Sequence, residues 1–130
     1  MASERAQARA VLLRAMSGDL SVEEFHHSWP DSSDPLIRAI FEETEDTVEH
    51  VPGSWVRRGT DYERFRKSAP YKTLIVNAQV LVDDFAEISS GRLVEIRGQL
   101  LKEVDLDQDD DVLATSARKF VAREVAPGST

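Results

Sequence analysis

The chain has 130 residues, 41% hydrophobic and 31% charged, with a formal net charge of −8 and no cysteine. That length suits one domain able to bury a core without staples, and the missing cysteines exclude a disulfide framework and any thiolate metal site. The negative balance argues against a nucleic-acid binder, which needs a basic footprint, and no run of eighteen apolar residues is present to cross a membrane.

The N-terminal stretch MASERAQARA has no apolar core of the kind a secretory signal needs, so the expected compartment is the cytoplasm. Ala8, Val11, Leu12, Ala15 and Met16 recur at three- and four-residue steps, predicting a first helix over Glu4–Met16 that Gly18 closes. Ser21 and Glu24 have the capping-box spacing, and Leu20 and Phe25 stand where a hydrophobic staple would be. A short second helix starts there, with Val22, Phe25 and Trp29 inward and Pro30 ending it. A third helix is expected from Ser33 or Asp34, with Pro35 in its first turn, to about His50. Its inner side reads Leu36, Ile37, Ile40, Phe41, Thr44 and Val48. Its other side carries Glu42, Glu43, Glu45, Asp46 and Glu49 against a single cation, Arg38.

Ser54–Gly59 reads as a loop with Trp55 as its core anchor. Thr60 and Glu63 repeat the capping-box spacing, predicting a short helix over Asp61–Lys67. Ser68–Pro70 then separates it from the longest helix, Tyr71–Ser89, whose stripe of Leu74, Ile75, Ala78, Leu81, Val82, Phe85 and Ile88 marks it as central. Residues 91–104 fit a helix through Leu93, Ile96, Leu100, Leu101 and Val104. A strand with Val94, Ile96 and Leu100 alternating and Gly98 as a bulge is the alternative, and the helix explains more positions. An acidic turn, Asp105–Asp111, precedes a last helix with Leu113, Ala117, Phe120 and Val121 inward, and residues 126–130 form a tail. The sum is one all-α domain over residues 1–130, an antiparallel bundle of four main helices plus one or two short ones.

Catalytic signatures are missing. Glu23, Glu24, His26 and His27 have helical spacing for a metal pair, but further ligands are not visible and no H-E-x-x-H occurs, so they read as surface residues. Asp105, Asp107 and Asp109 open like a calcium loop, yet Asp110 stands where the turn requires glycine and Ser116 where a bidentate glutamate belongs. The basic cluster Arg57, Arg58, Arg64, Arg66 and Lys67 reads as a loop and short helix pairing with neighbouring acids. No Gly-rich phosphate loop and no nucleophile elbow is present. No catalysis, cofactor or metal is therefore expected. The acidic side of the third helix is either a docking face or only a solvated one.

The stretch Ser17-Gly18-Asp19-Leu20-Ser21-Val22-Glu23-Glu24-Phe25, followed by Trp29-Pro30 and the acidic helix from Leu36 to Glu49, resembles bacterial self-protective immunity proteins of the colicin D immunity type. The resemblance covers about the first fifty residues. It implies a small acidic helical bundle that binds a cognate protein toxin, a nuclease with a basic surface, and covers its RNA-binding cleft. The residues placed to do so are Glu42, Glu43, Glu45, Asp46 and Glu49, with Asp83 and Asp84 as a second patch. Binding neither nucleic acid nor membrane, such a protein would act by protein contact alone; self-association is compatible with it. The competing expectations are a regulatory or adaptor bundle that self-associates or binds a protein, anchored by Trp55 and the apolar Tyr71–Ile88 segment, and a small enzyme or metal-dependent domain using Glu23, Glu24, His26 and His27.

Overall fold

Hydroxyl and carboxylate caps set most of the helix starts in the computed structural model, which describes residues 3–18, 20–50 and 60–125. α1 (Glu4–Met16) begins at Ser3, whose Oγ accepts from the Ala6 N–H at 3.1 Å. Beyond its end Gly18 takes φ 80°, the left-handed region that a side chain disfavours. α2 (Val22–Ser28) carries the complete capping box: Ser21 Oγ accepts from the Glu24 N–H, and Glu24 Oε1 accepts from the Ser21 N–H, each at 3.1 Å. The bond from the Ser21 backbone N–H, and after it one from the Ser21 hydroxyl, hold the Glu24 carboxyl below its ordinary value.

α3 (Pro35–His50) is capped by Asp34 rather than Ser33, since Asp34 Oδ1 accepts from the Leu36 N–H at 2.8 Å. Burial pushes the Asp34 carboxyl up. Hydrogen bonds from Ser90, the Leu36 N–H and Arg5, with the Arg5 charge, outweigh that and hold it below 3.8. Arg5 also donates to Phe85 O at 3.1 Å and Ser90 Oγ at 2.8 Å, clipping α1 to the start of α3 and to a distant turn. α4 (Thr60–Arg66) and α5 (Ala69–Val80) follow. Pro70 is not a separator. It lies in the first turn of α5 behind the Ser68 cap, where its missing N–H has no helical partner to lose.

The expected long helix Tyr71–Ser89 is corrected here: α5 ends at Val80, and a turn holding a short 3-10 segment, Asp83–Phe85, replaces its second half. Val82 is extended at φ −68°, ψ 154°. This path buries the consecutive residues Leu81 and Val82 together with Phe85, while Asp83 and Asp84, poor helix formers, point to solvent. α6 (Ser90–Glu103) starts at the Ser89 cap and makes residues 91–103 helix with Val104 as its extended cap, and α7 (Asp110–Val125) closes the described chain.

The described residues form an all-α bundle with no strand. Five helices have twelve residues or more, one more than expected, and α2 and α4 have seven each. α5 is central: α1, α3, α4, α6 and α7 all pack on it. Its residues Tyr71, Leu74, Ile75, Val76, Asn77, Ala78 and Val80 are buried on every side, as a helix enclosed by others must be. Lys72 fastens α5 to the start of α7 through Gln108 O at 2.6 Å and Asp110 Oδ1 at 2.8 Å. Trp55, the expected loop anchor, and Arg57 and Arg58 lie outside the described residues.

Two outcomes are expected in urea unfolding. Phe25→Ala, which empties a fully buried site, should lower the unfolding free energy by about 3–5 kcal/mol. Asp34 has a folded-state value below its unfolded one, so its contribution is present above 3.8 and lost as pH falls through the depressed value. Asp34→Asn should therefore flatten the acid limb of the stability curve while lowering stability at neutral pH.

Candidate functional site

A helix places residues four apart on one side, and α3 uses this to separate its acids. Leu36, Ile37, Ile40, Thr44 and Thr47 are buried, whereas Arg38, Glu42 and Asp46 form an exposed outer row. Glu43 and Glu45 stand on the two flanks between these sides.

Glu43 turns into the bundle. It pairs with Arg97 of α6 through Oε2, and its Oε1 accepts from Asn77 Nδ2 of α5 at 2.7 Å. Arg97 Nε closes the triangle by donating to Asn77 Oδ1 at 2.6 Å. Asn77 has no solvent exposure, so this network supplies partners that its amide would otherwise lose on leaving water. The two buried threonines of α3 are satisfied locally, Thr44 Oγ1 donating to Ile40 O at 2.7 Å and Thr47 Oγ1 to Glu43 O at 3.0 Å.

Glu45 leans the other way, with Oε2 at 3.4 Å from His26 Nε2 on α2. Glu49 is in the last turn of α3, and its side chain lies outside the described residues. Asp83 and Asp84 are both exposed on the turn after α5, and Asp84 Oδ2 accepts from Arg118 of α7 at 2.8 Å. The structure thus does not present the seven expected carboxylates as equivalents. Glu42 and Asp46 are exposed, Glu43 and Glu45 are both half-buried, the first tied to Arg97 and Asn77 and the second beside His26, and Asp84 is exposed and paired with Arg118.

Beside the outer row lies a cleft of about 460 Å³, lined by α2, the segment 29–32 and α3. Trp29 and Phe41 line it, with the fully buried Phe25 behind them. Phe25 and Phe41 stack with centroids 5.5 Å apart and planes 4° apart, and Trp29 tilts against Phe41 at 5.7 Å. His26 meets the Phe41 edge at 5.8 Å. Pro30, Asp31 and Ser32 close one wall, and Arg38, Glu42 and Glu45 stand along the other. The bend at Trp29 makes this possible: the residue leaves helical geometry at φ −66°, ψ 133° while its N–H still donates to Phe25 O. Sequence reasoning singled out none of these as one site. The available signal was Phe25, Trp29 and Phe41, three large rings on two consecutive helices joined by a short Pro-containing link.

The other candidate chemistry does not assemble. Among the described residues no group of three His, Asp or Glu side chains converges as a metal site. The Asp105–Asp111 stretch folds as a helix-start turn, with Asp105 Oδ1 accepting from the Asp107 N–H at 3.0 Å and Asp109 O accepting from the Leu113 N–H at 2.8 Å. Arg66 lies 3.7 Å from Asp110 and over the Tyr71 ring. No family model matches this chain, and neither a curated protein nor a solved structure is significantly similar to it.

The division of acids is open to mutagenesis. Asn77→Ala, which strips both partners from the network, should cost about 1–3 kcal/mol in urea unfolding, and Glu43→Gln should weaken the same network. Glu42→Gln should stay within about 0.5 kcal/mol of the parent, as an exposed position does. Glu43→Gln and Arg97→Met should combine less than additively, since they remove one interaction.

Proposed function

We propose that this chain is an inhibitor of the immunity type, a non-catalytic bundle that binds a cognate toxin with a basic surface, a nuclease, in the cytoplasm. The observation that carries the reading is the exposed row of Glu42 and Asp46 running beside an aromatic cleft whose rim adds Asp31 and Glu45. Carboxylates fixed on a helix stand where substrate phosphates would stand. They steer a basic partner into encounter and form charge-assisted hydrogen bonds with its lysines and arginines. Inhibition then needs only occlusion. Asp83 and Asp84 form a separate and smaller patch on the turn after α5.

The adaptor alternative rests on two anchors, Trp55, which lies outside the described residues, and the apolar Tyr71–Ile88 segment. Five helices cover α5, so that segment supplies core rather than a docking groove, and the inhibitor reading is preferred.

Co-expression with the toxin candidate encoded beside its gene is the test. Rescue of growth and a purified complex are the expected results; neither rescue nor complex would overturn the reading. Glu42→Lys with Asp46→Lys should slow association about tenfold or more at low ionic strength, with the difference shrinking as salt rises. Glu43 is unsuitable for charge reversal, because its loss acts through the fold.

A further inference from the structure

We propose that the cleft between α2 and α3 is the seat of a single arginine side chain supplied by the partner, which makes it the anchor of the interface inferred above and rests on that reading. The argument begins with what lines the space. Trp29 is 9% exposed and Phe41 half-buried, so both rings reach the cleft while remaining fixed in the core. Phe41 is braced by three neighbours, Phe25, His26 and Trp29, at centroid distances of 5.5, 5.8 and 5.7 Å. Aromatic faces attract cations, and rings held in advance do so without losing side-chain entropy on binding.

Charge decides the sign of the occupant. The lining holds three carboxylates, Asp31, Glu42 and Glu45, against one guanidinium, Arg38. Glu45 has His26 within 3.4 Å, and that contact is an ion pair only when the imidazole is protonated. An anionic occupant would meet this excess of carboxylate, and a purely apolar one would strip water from carboxylates without replacing its hydrogen bonds. A cation satisfies both the rings and the acids.

Shape decides between cations. A guanidinium is planar, stacks on a ring and presents a fork of N–H donors that matches carboxylate oxygens. Glu42 and Glu45 are one helical turn apart on α3 and therefore neighbours on its surface. An ammonium is more strongly hydrated and binds as a point charge, so lysine would be the weaker occupant. The volume, about 460 Å³, lies within the range of roughly 300–1,000 Å³ typical of sites for small ligands, ample for one side chain and its waters.

The experiment uses the whole protein without a toxin. Three acetylated, amidated tripeptides, Gly-Arg-Gly, Gly-Lys-Gly and Gly-citrulline-Gly, are titrated at neutral pH and followed by NMR at the Trp29 indole and the Phe41 ring. The expected result is weak, saturable binding of the arginine peptide centred on Trp29, Phe41, Glu42 and Glu45. The lysine peptide should bind about threefold or more less tightly, and the citrulline peptide should not bind. Glu42→Gln with Glu45→Gln should weaken arginine binding at least about threefold, and Arg38→Gln should strengthen it about twofold, as one exposed charge contact each way allows. Equal shifts from citrulline, shifts centred on the Asp105–Asp111 turn, or insensitivity to all three substitutions would each overturn the proposal. Because the titration needs no toxin, its failure with rescue intact removes only the arginine seat. A failed rescue with a saturable titration removes the inhibitor reading and leaves the seat standing.

Discussion

An amide with no solvent exposure sits in the last turn of the helix around which the rest of the molecule packs. Asn77 cannot be left without partners there, since an unpaired buried amide costs free energy that a marginally stable domain does not have to spare. Its two functions, one donor group and one acceptor, are met by Glu43 from α3 and Arg97 from α6. Three helices are thereby held at one relative rotation, because a slip of either α3 or α6 would break a charged contact as well as an amide bond. Apolar packing alone is more forgiving, as cores accept many side-chain arrangements of similar volume.

The surface follows from that interior constraint. With Glu43 directed at Asn77, α3 has no freedom to roll, so Glu42 and Asp46 face water and Phe41 faces α2. The ring of Phe41 then stacks on Phe25, and the bend after Ser28 brings Trp29 against both. One half-buried carboxylate, tied to Asn77 and Arg97, thus helps determine where the outer carboxylates are displayed. The same logic explains why an acidic helix can be both part of the scaffold and a face for a partner. Its inner flank satisfies an amide, its other flank meets a histidine, and only the remaining strip is presented outward.

Much of this was legible in the residues. The bounds of α1 and α3, the capping box of α2 and the helical nature of residues 90–103 follow from periodicity and cap chemistry, which are local. The turn at 81–89 was not legible. Leu81, Val82, Phe85 and Ile88 continue the helical rhythm, and only the packing of Leu81 and Val82 on a bent path, with Arg5 donating to Phe85 O, stops the helix. The rotation of Glu43 was hidden for a different reason. A glutamate was assigned to the polar side by type, although its neighbours at three residues before and four after, Ile40 and Thr47, are both buried. Asn77, a lone polar residue in the densest apolar stripe of the chain, was the available clue that a partner had to come from elsewhere. The cleft depends on two elements meeting, and a single helix read alone does not contain it.

The partners of Glu43 lie far along the chain, and this bears on how the protein comes into being. A ribosome delivers the acidic helix first and Arg97 more than fifty positions later, an interval of about 3–11 s at common elongation speeds of roughly 5–20 residues per second. During it the nascent helix lacks the cation that orients it. Display of the outer strip is therefore delayed until Arg97 has been made, and a fragment released earlier would carry the acids without the geometry.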